Sequence, residues 1–367
     1  MNSYPDLSNL DITIAVSGLK TGDNPQPGVP VIRSLRAAGF KGKVVGLVYD
    51  SMESGVYVDG LVDAAYLMPY PSAGAEAFLN RLDQILPSQS IDVVIPTLDA
   101  EIMQYIRLED ELKRRGIKAF LPTEECFLLR DKTKLANYFP PKGIAVPRTL
   151  LVSEPERIPE AKDDLPYPMM VKGRYYEAFK AHNRFEGIKY FHEISERWGL
   201  PIIFQKLVPG EEYNIVVVGD GDGSMLGMVA QKKLVITDKG KGFGGVVIKN
   251  AQLEDFAQRI ISALKWRGPC ELEVMMGHDG VCYLIEINPR FPAWVRLAEG
   301  AGQNQPALAV LGALGETLKP LPEAKAGTMF IRHAEDLIAD IATMGELTVR
   351  SELIKHGQAD KFAGPQR

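Results

Sequence analysis

The stretch Gly280-Val-Cys-Tyr-Leu-Ile-Glu-Ile-Asn-Pro-Arg290 carries an acid and an amide in an otherwise apolar alternating pattern. A β-strand here would place Glu286 and Asn288 on one face and keep the other face fully apolar. Pro289 would end the ladder, and Arg290 follows at the exit of the strand, where a planar guanidinium can reach an anion. The pattern therefore predicts a strand that faces a charged ligand.

Residues 271–275 predict a second strand that pairs with the first one as a hairpin. Glu273 and Glu286 share a face if an even number of residues connects the strands, as with the four residues 278–281. Two carboxylates and the amide of Asn288 would then converge. Such a set of hard oxygen ligands suits magnesium that bridges polyphosphate oxygens.

Composition favours a globular protein that acts on small molecules. The chain has 367 residues, and its net charge is 42 − 47 = −5. There is no basic block, which argues against nucleic acid or an anionic membrane surface as the main partner. The first residues lack the basic and apolar regions of a signal peptide, and no apolar run approaches the roughly 18 residues of a membrane span. We therefore expect a cytoplasmic location.

The three cysteines, Cys126, Cys270 and Cys282, show no metal-binding spacing. Cys270 and Cys282 flank the predicted turn, so the simplest interpretation is that they are small core residues. A disulfide between these two remains the alternative.

The first third of the chain alternates strands and helices. Short apolar strands are expected at residues 12–17, 43–49, 91–96 and 118–121, and helices at 31–38, 75–86 and 101–115. This order predicts a parallel, Rossmann-like sheet of α/β class in residues 1–121. Ligands of such sheets bind beyond the carboxyl ends of the strands, here near the loop 18–30 and the segment 96–101.

The rest of the chain has a different pattern. Thr123 can cap a helix that ends before Pro140, so we place a boundary near residue 122. Residues 122–322 predict an α+β unit of antiparallel strands with flanking helices, in two lobes of about 122–204 and 205–322. We expect the tail, residues 323–367, to form a small helical appendage.

The hairpin residues resemble the ATP-grasp superfamily, and most closely the ligases related to the carbamoyl phosphate synthase large chain. The resemblance runs from about residue 10 to about residue 320. It implies a Rossmann-like pre-ATP-grasp domain followed by a two-lobed ATP-grasp fold. It also implies that Glu273, Glu286 and Asn288 bind magnesium, with manganese as an alternative metal, and that Arg290 is catalytic.

Further positions extend the resemblance to the nucleotide. Asp131-Lys132 before Gly143-Ile-Ala-Val-Pro147 and the strand that ends at Lys172 resemble the passages whose cations meet ATP phosphates. Glu212 is similar to the acid that binds ribose hydroxyls. The segment that resembles the adenine-binding hinge between the lobes consists of Gln205, Lys206, Leu207 and Val208.

The chain also departs from the family pattern. Many relatives have a glycine-rich loop over the triphosphate, but residues 175–183 contain no glycine. Lys180, His182 and Asn183 are candidate donors in its place. The glycine-rich stretch 240–245 is expected to be an active-site loop that closes over acceptor or phosphate.

Five further residues are candidates whose roles the sequence leaves open. Glu271 shares the predicted face of Glu273, and it is either the true metal ligand or an acid behind that ligand. Asp99 and Glu101 mark either a helix start or an acceptor site. Trp294 and Arg296 follow Arg290 closely and are candidates for binding an apolar or carboxylate-bearing acceptor.

The resemblance implies a ligase that uses ATP to activate a carboxylate as an acylphosphate, which an amine then displaces. An amino acid, a peptide or a small metabolite would serve as the carboxylate or amine substrate, and many relatives are homodimers. The alternatives are an ATP-grasp kinase, a ligase that forms a thioester, and a regulatory protein that binds ATP without turnover.

Overall fold

The computed structural model describes residues 4–22, 24–159, 165–174, 177–236 and 242–355. These residues form three β-sheets, and helices flank them. The combination of a parallel sheet with antiparallel sheets confirms the predicted mixture of α/β and α+β classes. No helix in the described part of the chain is both long and apolar enough to cross a membrane.

The first sheet has five strands in the order β15-β3-β2-β1-β4. Its strands are β1 (Thr13–Ser17), β2 (Lys43–Val48), β3 (Ala64–Leu67), β4 (Val93–Ile95) and β15 (Glu352–Ile354). Strands β1 to β4 are parallel, and β15 pairs antiparallel with β3. The predicted strand at 118–121 is wrong: Lys118 makes a single bridge to Val93.

Helices fill the connections of this sheet. They are α1 (Gly28–Ala37), α2 (Ala75–Ile85), α3 (Asp99–Arg107) and α4 (Glu109–Arg114). Because β2 and β4 lie on opposite sides of β1, the chain reverses its direction of winding between β1 and β4. The carboxyl ends of these two strands therefore border the crevice where ligands of such sheets bind.

Two short helices replace the single predicted helix that follows. They are α5 (Glu124–Leu129) and α6 (Lys132–Tyr138). Thr123 caps α5 as predicted, since its hydroxyl accepts from the N–H of Cys126 at 3.3 Å. Asp131 caps α6, because its carboxylate accepts from the N–H of Thr133 at 2.9 Å. The break puts Lys132 at the first position of a new helix.

A four-stranded antiparallel sheet comes next, in the order β5-β8-β6-β7. Helix α7 (Arg184–Trp198) packs on it. The strands are β5 (Thr149–Val152), β6 (Met169–Lys172), β7 (Ala178–Ala181) and β8 (Ile202–Lys206).

The third sheet has six antiparallel strands in the order β13-β12-β9-β10-β11-β14. Helix α8 (Ala251–Leu264) covers one face, where Phe256 and Ile260 join a buried cluster with Leu272 and Leu284. The strands are β9 (Gly210–Asp220), β10 (Met225–Ile236), β11 (Gly242–Ile248), β12 (Arg267–Gly277), β13 (Cys282–Asn288) and β14 (Met329–Ile331).

Two expectations about these segments change. Part of the glycine-rich stretch 240–245 is not a loop, because residues 242–245 belong to β11, while residues 237–241 lie outside the described residues. The tail from residue 323 contains helix α11 (Ile341–Arg350), but it also supplies β14 to the six-stranded sheet and β15 to the first sheet. The remaining helices are α9 (Arg296–Gly300) and α10 (Gln305–Leu314).

The cysteines behave as core residues. Cys126, Cys270 and Cys282 are all buried and free, so the alternative of a disulfide between the last two is wrong.

Candidate active site

The β12–β13 hairpin brings Glu273 and Glu286 directly opposite each other. Four residues separate the two strands as expected, but Met276 rather than Gly277 pairs with Cys282. That register alone would put Ile285 opposite Glu273. A β-bulge at this point shifts the pairing by one residue and restores the facing carboxylates. The predicted pairing is thus confirmed, but the turn alone does not produce it.

The two facing carboxylates repel each other, although the ammonium of Lys132 lies 3.0 Å from Glu286. Burial, and the nearby Glu286 and Glu271, raise the pKa of Glu273 to about 7. A divalent cation between them would relieve this repulsion.

Asn288 is oriented by the acids next to it. Its amide nitrogen donates to Glu271 Oε2 at 3.1 Å and to Glu273 Oε1 at 3.2 Å. Since the amide N–H groups point at carboxylates, its carbonyl oxygen is the atom it can offer to a cation.

Of the two interpretations of Glu271, the structure favours an acid that supports the candidate ligands, because its carboxylate is buried and held by protein donors. It is 6% exposed, and its Oε1 accepts from Asn214 at 3.1 Å and from the indole of Trp294 at 2.7 Å. Its Oε2 accepts from Asn288, and Arg290 lies 4.0 Å away. Both oxygens therefore have protein partners.

Lys132 and Lys172 reach the same site from two different elements. The ammonium of Lys132, at the start of α6, lies 3.0 Å from Glu286 Oε2. Lys172, at the end of β6, donates to Gln205 Oε1 at 2.8 Å. Burial and the charge of Lys132 lower the pKa of Lys172 to about 8, against the opposing effect of Glu286.

The segment expected to be the hinge runs between two sheets. Gln205 and Lys206 end β8 of the four-stranded sheet, and residues 207–209 lead into β9 of the six-stranded sheet. The side chain of Gln205 is buried and already occupied, because it also donates to Thr149 Oγ1 at 3.1 Å. Its acceptor oxygen therefore holds Lys172 in this structure.

The remaining hinge residues and Glu212 lie near the rim of the site. Lys206 is exposed, and Leu207 and Val208 are half-buried. Glu212 is exposed and accepts from Lys233 at 2.5 Å. Burial disfavours the charge on Lys233, but Glu212 outweighs this effect and raises its pKa.

Arg290 joins the site to the first sheet. Its Nε donates to Asp99 Oδ2 at 2.7 Å, at the start of α3. Burial opposes the charge, yet Asp99 and Glu271 raise the pKa of Arg290. Asp99 is therefore both the first residue of a helix and a partner of the predicted catalytic arginine.

Other candidates have structural roles. Glu101 is 1% exposed and accepts from the hydroxyls of Ser17 and Tyr49 and from backbone N–H groups, so it anchors the start of α3. Trp294 is 7% exposed and bound to Glu271, which makes it unavailable to an acceptor. Arg296 lies at the surface beside Glu299, 3.7 Å away.

The candidates for covering the triphosphate are exposed. His182 Nδ1 lies 3.1 Å from Glu186 Oε2, and Asn183 caps α7. Lys180 is an exposed residue of β7. Tyr175 and Tyr176, in the stretch without glycine, lie outside the described residues.

The sequence analysis missed three polar residues near the site. Asn214 and Gln231 continue the row that Glu286 and Glu273 begin, since each pairs with its neighbour across β9 and β10. Gln231 is fully buried, and neither of its amide atoms has a hydrogen-bond partner among the described residues. Arg130 lies 3.8 Å from Asp99 at the break between α5 and α6. Each residue of this row lies on a different strand, so the row can be recognised only when the pairing of all four strands is known.

The donor set fits magnesium in its chemistry. No three acidic, histidine or cysteine side chains in the described ranges form a complete metal cage. Magnesium does not require one, because it commonly takes one or two carboxylates and completes its shell with phosphates and water. Glu273, Glu286 and Asn288 supply this kind of partial shell.

Comparisons with known proteins agree with this geometry. The family model described as "ATP-grasp in the biosynthetic pathway with Ter operon" matches residues 200–335. The carbamoyl phosphate synthase large chain of Thermoanaerobacter sp. (strain X514) is 24% identical over 232 residues, or 59% of this chain. Residues 200–335 are therefore similar to an ATP-grasp domain. The match spans 21% of the length of that relative, so the chain corresponds to about a fifth of it.

Solved structures share the ATP-grasp fold over most of the chain. N5-carboxyaminoimidazole synthetase from Staphylococcus aureus is 19% identical, with a TM-score of 0.64 over 86% of this chain and 81% of that one. Biotin carboxylase from Campylobacter jejuni is 15% identical, with a TM-score of 0.67 over 87% and 74%. L-amino acid ligase from Bacillus licheniformis is 16% identical, with a TM-score of 0.63 over 84% and 75%.

Proposed function

We propose that this chain is an ATP- and magnesium-dependent ligase that activates a carboxylate and joins it to an amine. The observation that carries the proposal is the convergence of Glu273, Glu286 and Asn288 with two lysines from other elements. Lys132 touches Glu286, and Lys172 is close enough for both acids to act on its pKa. A cluster of carboxylates and ammonium groups suits the binding of a nucleoside triphosphate and its metal ion.

In this proposal residues 1–121 form the pre-ATP-grasp domain and residues 122–322 the ATP-grasp domain. The nucleotide lies between the four-stranded and six-stranded sheets. Lys132 and Lys172 hold its phosphates, the segment from Gln205 to Val208 contacts adenine, and Glu212 contacts the ribose. When the nucleotide binds, Gln205 gives up its hydrogen bond with Lys172 and forms one with the nucleotide instead.

The reaction requires two displacements. A carboxylate oxygen attacks the γ-phosphorus, the bond to the β-phosphate oxygen breaks, and ADP leaves. The amine then attacks the acyl carbon, phosphate leaves, and the amine proton passes to solvent or phosphate. Magnesium, when bound, neutralises phosphate charge. The protein's own contribution is to position the groups and stabilise charge, with Arg290 facing the transferred phosphoryl group.

The similarity to L-amino acid ligase supports an amino acid as one substrate, and the similarity to N5-carboxyaminoimidazole synthetase supports a small metabolite. Both likenesses are at the level of fold. An assay decides between these substrates. The same assay shows whether the product is an amide, a thioester or a phosphorylated compound.

The test is ADP release from ATP and magnesium with pooled amino acids and small carboxylic acids, with each pool assayed with and without amines. We expect release that depends on a carboxylate and rises when an amine is added. Glu286→Gln should reduce turnover by about 100-fold or more, because it removes one of the two metal carboxylates. Glu193→Gln, on α7 and with 41% of its side chain exposed, is the matched control. Tight ATP binding without any turnover would instead support the regulatory protein.

A further inference from the structure

Two arginines from different elements share one carboxylate at the junction between the first sheet and the metal ligands. Arg290 donates its Nε to Asp99 Oδ2 at 2.7 Å, and Arg130 Nη1 lies 3.8 Å from Asp99 Oδ1. Asp99 is the first residue of α3, directly beyond the carboxyl end of β4. The junction therefore opens toward the crevice of the parallel sheet.

The polar atoms at this junction are incompletely satisfied. Arg130 Nε and Asp99 Oδ1 are buried, and neither has a hydrogen-bond partner among the described residues. Arg130 is nevertheless fixed, because its guanidinium stacks on the ring of Phe127 at 4.3 Å. Buried polar atoms without partners are rare in folded proteins, and at a site they point to a group that binds there.

The two guanidinium groups share one close carboxylate at this junction, while other acids also act on them: Glu286 and Asp131 on Arg130, and Glu273 on Arg290. Asp99 supplies one negative charge to two guanidinium groups, and Glu271 is 4.0 Å from Arg290 but is shared with Asn288, Trp294 and Asn214. Burial lowers the pKa of Arg130 although Asp99 and Glu286 act in the opposite direction. An additional anion would stabilise Arg130 in its charged form.

We propose that Arg130 and Arg290 together bind the carboxylate group that the enzyme activates, and that Asp99 holds the two arginines in place until that carboxylate arrives. The proposal rests on the ligase function above, and it adds a binding site and a substrate-binding residue to it. A planar carboxylate can accept from two guanidinium groups at once, and the unpartnered Nε of Arg130 supplies one donor.

The location agrees with the chemistry. The side chains of Asp99, Arg130 and Arg290 keep 32%, 21% and 19% of their surface exposed, so a small anion can reach them from solvent. Arg130 is two residues before Lys132, which contacts Glu286. A carboxylate bound at Arg130 would therefore lie beside the groups proposed to hold the γ-phosphate.

The test uses acetate as the carboxylate probe and measures its binding to the full-length protein by saturation-transfer difference NMR. ADP and EDTA are present, so that neither magnesium nor turnover is required. We expect wild type to bind acetate, and Arg130→Met to weaken binding by about tenfold or more, as the loss of a charge-assisted contact predicts. Arg114→Met, at an exposed arginine of α4, should bind like wild type.

The variant Asp99→Asn distinguishes carboxylate binding by the two arginines from a purely structural role of this junction. We expect it to bind acetate about tenfold more tightly, because a competing negative charge is removed while the side-chain oxygen remains. Arg130→Lys keeps the charge but not the planar donors, so it should bind more weakly than wild type and more tightly than Arg130→Met. Thermal unfolding of each variant checks that it is folded, and Arg130→Lys carries the comparison if Arg130→Met is not.

Absence of acetate binding to wild type, or equal binding by wild type and the Arg130 variants, overturns the proposal. So does an Asp99→Asn variant with unchanged or weaker binding. These outcomes are independent of the ligase assay. If Glu286→Gln retained full ATP turnover but acetate binding depended on Arg130, the metal assignment would fall and the anion site would stand.

Discussion

At the scale of single residues, Glu273 and Lys172 have pKa values shifted toward each other within one site. Burial and two neighbouring acids raise that of Glu273 to about 7, while burial and Lys132 lower that of Lys172 to about 8. Metal binding needs the carboxylate ionised, and phosphate binding needs the ammonium charged. Only a narrow pH range provides both forms in the free protein.

We therefore expect kcat/KM for ATP at limiting magnesium to follow a bell-shaped pH profile. It should rise as pH increases through about 7, where Glu273 loses its proton, and fall through about 8, where Lys172 loses its proton. Higher magnesium should move the acid limb to lower pH, because the cation competes with the proton.

The variant Lys172→Arg tests the assignment of the alkaline limb. Arginine keeps its charge throughout the accessible range, so the fall near pH 8 should disappear even if the maximum rate is lower. The same profile in Lys172→Arg and wild type would assign that limb to another group.

Glu271 is a buried acid whose hydrogen bonds suit a supporting role at the candidate metal site. It accepts from Trp294 at 2.7 Å and from Asn288 at 3.1 Å. Glu271→Gln should lower the free energy of unfolding by about 2 kcal/mol, because it removes the charge from several buried hydrogen bonds. Urea denaturation in EDTA measures this loss.

The variant Trp294→Phe is a milder comparison for Glu271→Gln. It removes one donor and should cost about 1 kcal/mol. If Glu271→Gln were as stable as wild type but failed to bind magnesium, Glu271 would be a metal ligand after all.

At the scale of elements, the break between α5 and α6 determines where Lys132 lies. The sequence predicts one helix here, and the cap at Thr123 is confirmed. Asp131 interrupts that helix, since its carboxylate accepts from both the N–H and the hydroxyl of Thr133. A second cap within an apolar helical pattern is a weak signal in a sequence, because aspartate also occurs on exposed helix surfaces.

Substitution of Asp131 separates the cap from the ion pair with Arg174. Asp131→Ala should lower the free energy of unfolding by about 1 kcal/mol and raise KM for ATP several-fold, because α6 loses its cap and Lys132 its position. Asp131→Asn retains a capping oxygen and loses the charge of its pair with Arg174, whose side chain is 43% exposed, so both values should change less than in Asp131→Ala. Urea denaturation and initial rates measure the two effects, and identical behaviour of both variants would contradict the role of the cap.

The register of the β12–β13 hairpin was also only partly predictable from the sequence. The alternation of Glu286 and Asn288 predicts the face that they share, and the pairing of Glu273 with Glu286 is correct. At the turn, Met276 pairs with Cys282 where Gly277 was expected. The bulge between Glu273 and Val274 corrects this shift of one residue. A bulge leaves no distinct mark in one strand, because it depends on how both strands pair.

At the scale of the whole molecule, the end of the described chain returns to its beginning. Strand β15 forms an edge of the first sheet, and Arg81 donates to the carbonyl oxygen of Ser351 at 2.6 Å. Leu347 and Leu353 are buried at 0% and 5% exposure. The tail that the sequence analysis treats as an appendage therefore takes part in the packing of the first sheet.

We expect a chain that ends at Asp340 to lose about 3 kcal/mol or more of unfolding free energy. The truncation uncovers two leucine sites and the edge of β3, and an unpaired edge also favours self-association. Urea denaturation and size-exclusion chromatography measure both effects. A chain that ends at Lys355 is the control, and a chain ending at Asp340 with the stability of that control would contradict the expectation.

By itself, the sequence determined the class of each sheet, the strand that carries the candidate metal ligands and the identity of the acids and lysines, because these depend on periodicity and residue chemistry along short segments. The tertiary structure alone decided that Glu271 is held by Asn214, Asn288 and Trp294, that Asp99 holds Arg290, and that Arg130 lies at the same junction. Asp99 and Arg290 are 191 residues apart in the chain. Such contacts arise from the packing of separate sheets, and no local pattern of residues encodes which distant partner a side chain meets.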